Sequence, residues 1–85
     1  MSTRNAYFLL EYIYMSTNFN EKLKEVRIES GLNQKQVALK LGISTTCYAG
    51  YEQGYRQPDL KMLTKICLLF NVSADFLLGI DIDLI

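Results

Sequence analysis

Between residues 31 and 73 the chain is cut into short runs by residues that start and stop helices. Asn33, Ser44, Asp59 and Ser73 each stand before a run with helical apolar spacing. Each carries a side-chain oxygen that can accept from the free N–H groups of a first helical turn. Gly31, Gly42 and Gly54 stand where such runs end, and glycine favours the left-handed turn by which chains leave helices. This punctuation predicts five short helices and no room for a long one. The fold class is therefore all-α.

The apolar spacing assigns each run an inner face. Asn18 or Asn20 opens a first helix through EKLKEVRIES, with Leu23, Val26 and Arg27 on one side. QKQVALKL follows with Val37, Ala38 and Leu41 inward, then TTCYAGYEQ with Cys47, Tyr48 and Tyr51 inward. In that third helix Thr45, Thr46, Ala49 and Gly50 face outward. Pro58 lies just outside a fourth helix, LKMLTKICLLFN, whose inner residues are Leu63, Ile66, Cys67 and Phe70. Val72 and Leu77 carry the core into a fifth. With 85 residues and 49% hydrophobic content there is enough chain for one core and not for two. The expected organisation is an apolar extension over 1–17, the helical domain over 18–79 and a tail over 80–85. Residues 7–14, rich in Tyr, Phe and Ile, and residues 79–85, where Ile80, Ile82 and Leu84 alternate with acids, suit short antiparallel strands, while a helix over 6–15 fits the first of them nearly as well.

Composition excludes several chemistries. Histidine is absent, which removes the commonest general base and the commonest metal ligand. Cys47 and Cys67 lie far apart with neither a CxxC spacing nor histidine companions, so they read as reduced packing thiols. The expectation is a non-enzyme with no metal and no cofactor. AYFLLEYIYM is about half the ~20 residues a membrane span needs and contains Glu11; no cleavable-leader pattern follows it, so a cytoplasmic location is expected. Formal charge sums to zero, with 9 basic and 9 acidic residues. That balance is uneven along the chain: residues 34–65 carry a net +3 and residues 66–85 a net −3. Any anionic partner meets the first of these segments.

A helix closed by Gly42, a three-residue turn Gly42-Ile43-Ser44, and a second helix with a polar outer face form the helix-turn-helix pattern. LKEVRIESGLNQKQVALKLGIS, YEQGYRQPDL and LTKICLLFNVSADFLLG together resemble the helix-turn-helix regulators of the phage repressor/Cro type, the Xre family. The resemblance covers residues 20–79 and all five helices. It implies a five-helix domain, a double-stranded DNA operator as partner, transcriptional control, and homodimerisation. It also implies an internal ion pair between Arg27 and Glu52, and a phosphate-contacting role for Gln34 that buttresses the recognition helix. Many members carry a longer polar side chain at the position of Gly50, and this chain departs from them there.

The expected base contacts are Thr45, Thr46, Ala49 and Gly50 on the third helix. The threonines offer a hydroxyl and a methyl to base edges, whereas Ala49 and Gly50 have no hydrogen-bonding side chain. Gln34, Lys35, Tyr55, Arg56 and Lys61 are the expected phosphate contacts, which position a protein on the duplex. Leu69, Phe76 and Leu78 are surplus to a single core and are the dimer candidates. The sparse side chains at 49 and 50 leave a second reading open, in which the same fold holds a protein partner and binds DNA weakly.

Overall fold

A computed structural model of the protein describes residues 18–80. Five α-helices occupy this region: α1 (Phe19–Glu29), α2 (Gln34–Leu41), α3 (Thr45–Gln53), α4 (Leu60–Phe70) and α5 (Ala74–Leu78). None reaches the length at which an isolated helix becomes stable in water, about 12–15 residues, so each owes its stability to the others. α3 packs on both α1 and α2, α2 packs on α4, and α5 closes the bundle against α1 and α4. The expectations for strands or a helix before residue 18, and for the alternating tail, lie outside the described residues.

The caps form where the sequence places them. Asn33 accepts from the Gln36 amide, and the Gln36 side chain accepts in return from the Asn33 amide, each at 2.8 Å. Ser44, Asp59 and Ser73 accept from Cys47, Met62 and Phe76 at 3.0, 2.8 and 3.0 Å. Two details differ from the sequence reading. Asn18 stands at the α1 cap without accepting a side-chain hydrogen bond, and the helix starts instead by burying Phe19 and Leu23. Asn71 is not the last residue of α4 but its left-handed cap, at φ 53, a conformation asparagine tolerates better than other side chains.

Leu23, Val37, Tyr48, Ile66 and Leu77 are fully buried, one from each helix, and the core is built around them. Cys67 and Phe70, expected inside, are half-buried at its rim. Leu69 and Leu78, expected to be left over for a second copy, pack against this core instead. A domain of this size has so little interior that rim positions are recruited to it. The apolar side chains left in solvent include Leu60 and Leu68, eight residues apart on α4, together with Phe76 under the Lys22 ammonium.

The α2–α3 turn depends on Gly42, whose φ of 76 lets the chain leave α2 while the Ile43 amide bonds back to the Ala38 carbonyl at 3.0 Å. Nothing lies within 4 Å of where a Cβ would stand at this position, so a side chain there meets only the backbone penalty of the left-handed region. Gly42→Val should therefore lower unfolding free energy by about 1–2 kcal/mol, and Gly42→Asn by less, in denaturant titrations.

Candidate nucleic-acid interface

The angle between α2 and α3 is set from behind by a polar cluster on Glu52, in the last turn of α3. Arg27 of α1 donates to it through Nε at 2.6 Å and Nη2 at 3.1 Å, a two-pronged pairing of guanidinium with carboxylate. Arg27 Nη1 also donates to the Leu32 carbonyl at 3.1 Å, in the turn between α1 and α2. Gln34, the first residue of α2, donates from Nε2 to Glu52 Oε1 at 3.1 Å. Three helices therefore meet at one carboxylate whose side chain is only 3% exposed, and the α1–α2 turn is tied to it through Arg27.

Burial alone would raise the Glu52 pKa, but the hydrogen bonds from Arg27 and Gln34, with the Tyr48 hydroxyl nearby, outweigh it and hold the carboxyl below its ordinary value. Arg27 is shifted upward, first by its hydrogen bond to Glu52. Tyr48 is raised chiefly by burial; its hydroxyl lies within reach of the Glu52 charge without a hydrogen bond of good geometry. Tyr51 is pushed up to about 12, first by burial and then by its hydrogen bond with Cys47, while the charge of Arg56 pulls the other way. Cys47 is thus a packing neighbour on the inner side, with its sulfur 3.6 Å from the Tyr51 hydroxyl.

On the opposite side of α3, Thr46 is exposed and Ala49 is half-buried, while Thr45, seven residues before Glu52 and so on its stripe, is exposed at the start of the helix. Gly50 departs from the sequence reading: it is buried, not open. The stem of Arg56 lies over it, with Cγ and Cδ each 3.1 Å from where a Gly50 Cβ would stand. Helical spacing alone put Gly50 outward, because that spacing knows nothing of the loop that returns across the helix. Gln53, seven residues beyond Thr46 and therefore on the same stripe, is exposed at the far end of α3; this i, i+7 relation is the signal by which it can be found in the sequence.

Most of the remaining cationic and polar candidates are open to solvent. Lys35, Tyr55, Arg56 and Lys61 are exposed, and Tyr55 is 83% accessible. Gln34 is half-buried, committed through its amide to Glu52. Among the described residues there is no group of three or more metal-ligating side chains, and no helix is long and apolar enough to cross a membrane.

Residues 23–77 match the helix-turn-helix family. The HTH-type transcriptional regulator ImmR of Bacillus subtilis strain 168 is 44% identical over 64 residues, which is 75% of this chain and 50% of that protein. The uncharacterized HTH-type transcriptional regulator YonR, derived from the SPbeta prophage of the same organism, is 47% identical over 60 residues, 71% of this chain and 56% of that protein. A solved transcriptional regulator from Listeria innocua superposes with a TM-score of 0.68 at 32% identity, covering 78% of this chain and 67% of its own. The chain belongs to the helix-turn-helix family of the phage repressor/Cro type. It spans about half the length of these curated relatives.

The Glu52 cluster makes a directional prediction. Arg27→Met leaves a buried carboxylate without its principal partner and should cost about 3 kcal/mol or more of unfolding free energy. Because folding holds Glu52 below its ordinary pKa of 4.5, the stabilisation is complete above that value and is lost as pH falls through the lower folded-state value. Unfolding free energy measured from pH 7 down to pH 3 should therefore fall on acidification, and Glu52→Gln should flatten that slope.

Proposed function

We propose that this chain binds double-stranded DNA sequence-specifically as a transcriptional regulator, a homodimeric repressor that lays α3 in the major groove. The observation that carries this reading is the two-sided character of α3. Its inner side is locked by Tyr48, Tyr51 and the Glu52 cluster, while its first turn presents Thr45 and Thr46 to solvent at the edge of a basic segment. A helix held this way offers base-reading groups on a rigid mount. The relatives support it further: one that is 33% identical over 54 residues, 64% of this chain and 49% of its own, is the phage CTXphi transcriptional repressor RstR of Vibrio cholerae.

In this arrangement Thr45 and Thr46 meet base edges, with Ala49 close enough for apolar contact with thymine methyls. Gln53 joins them at the far end of the same stripe. Lys35, Tyr55, Arg56 and Lys61 meet phosphates, and Gln34 contributes from the α2 N-terminus while holding Glu52. Two half-sites about 34 Å apart supply the selectivity that one short helix lacks, which is the physical motive for a dimer. Phe76, with Leu60 and Leu68 on α4, provides apolar surface for a second copy.

Selection from a random double-stranded DNA library should yield a two-fold-symmetric site with half-sites near one helical turn apart. Thr46→Ala should then change preference at one or two base pairs, by about 1 kcal/mol each. Lys35→Ala should weaken binding to selected and scrambled DNA alike. Failure to enrich any site, with only weak salt-sensitive binding, would overturn the reading in favour of a protein-binding module. A monomeric sedimentation profile at concentrations on the order of 10 µM would overturn the homodimer.

A further inference from the structure

Gly50 is an anomaly on two counts. It stands in the middle of α3, where glycine costs about 1 kcal/mol relative to alanine, and it is buried although it lies on the side of the helix away from the core tyrosines. What buries it is Arg56, which follows it by six positions. The backbone brings the two together: the amides of Gly54, Tyr55 and Arg56 all donate to the Gly50 carbonyl, the last two at 2.9 and 3.2 Å. This convergence folds the chain sharply back after α3. The Arg56 stem then runs across the bare Cα of Gly50, with Cβ 3.4 Å and Cγ and Cδ 3.1 Å from the site of a missing methyl group.

Such distances are too short for an ordinary side-chain contact, so Gly50 and the Arg56 stem share a space that a residue with a Cβ would contest. An arginine stem otherwise free in a loop samples many rotamers, and ordering it costs on the order of 1–2 kcal/mol. Here the glycine groove orders it before any ligand arrives, while the residue as a whole remains exposed. We propose that Gly50 is a positioning residue: its missing side chain seats the Arg56 stem on α3 and so fixes where the guanidinium meets a DNA phosphate. The inference rests on the DNA-binding reading above. It changes the role of Gly50 from a bare stretch of base-reading surface to the mount of a phosphate contact, and it explains why the position lacks the longer polar side chain of other family members.

The test is a double-substitution cycle on the full chain with Gly50→Leu and Arg56→Ala, singly and together. Titrations against the selected site and a scrambled duplex at several salt concentrations give the DNA readout. Arg56→Ala should weaken binding to both duplexes by about tenfold and make the slope of log affinity against log salt shallower by about 1. Gly50→Leu should reproduce most of that loss and the same change of slope, and the double variant should bind no more weakly than Arg56→Ala alone. Its melting temperature should be no lower than that of the unsubstituted chain, because leucine is the better helix former. A Gly50→Leu loss that adds in full to that of Arg56→Ala, or that alters which base pairs are preferred, would overturn the proposal, because residue 50 would then meet DNA itself. So would full affinity in Gly50→Leu. The seat is also read without DNA: nuclear Overhauser contacts between the Gly50 α-protons and the Arg56 γ- and δ-protons should be present in the free protein and lost in Gly50→Leu. Their absence from the unsubstituted protein overturns the seat. An unsubstituted chain that selects no site overturns the DNA-binding reading, and the phosphate role with it, while these contacts still report on the seat.

Discussion

The pairing of Arg27 with Glu52 is the interaction on which the presentation of α3 depends. The core could be filled by many apolar sets, but apolar contacts are not directional, and they leave two short helices free to rock about a glycine turn. The carboxylate at the end of α3 removes that freedom. It is held by α1 through two guanidinium donors and by the first residue of α2 through an amide, while the same guanidinium holds the carbonyl of Leu32. Moving α3 relative to α2 would break several charge-assisted hydrogen bonds at once in a place that water barely reaches.

This bracket couples stability to function in a specific sense. Gln34 stands where the N-terminus of α2 would meet phosphate, yet its amide is also one of the supports of Glu52. In the proposed DNA complex the binding surface and the cluster that orients it therefore share a residue. On the other side of α3, Gly50 and Arg56 have the same relation at shorter range: one residue gives up its side chain, and another is ordered by the vacancy. If the proposed contacts form, both devices fix a polar group before DNA is present, which lowers the ordering cost that binding must overcome.

Much of this was legible in the chain. The positions of Asn33, Ser44, Asp59 and Ser73 mark the starts of four helices, because a short polar side chain can satisfy a free first-turn amide by a purely local bond. The inward placement of Tyr48 and Tyr51, and the outward placement of Thr46, follow from helical geometry alone, whereas Thr45 is exposed because it stands at the helix start. Asn18 was a poorer guide, since α1 is anchored by Phe19 and Leu23 rather than by a side-chain cap. The partial burial of Leu69 and Leu78 against the core was also hidden, because the width of the face that α4 and α5 bury depends on how the other helices close over them.

Among the described residues the five helices, most of their caps, the turn at Gly42 and the core face of α3 were fixed by the chain alone, since each rests on bonds or sterics within a few residues. The sequence determined, through resemblance, that Arg27 and Glu52 should be partners. Only the tertiary structure decided that Gly50 is covered rather than open, because its cover is a loop side chain brought back by three amides converging on one carbonyl. Only the tertiary structure decided that Leu60 and Leu68 remain in solvent while neighbouring leucines are enclosed. Spacing along a helix fixes directions around its axis; what lies in each direction is fixed by packing.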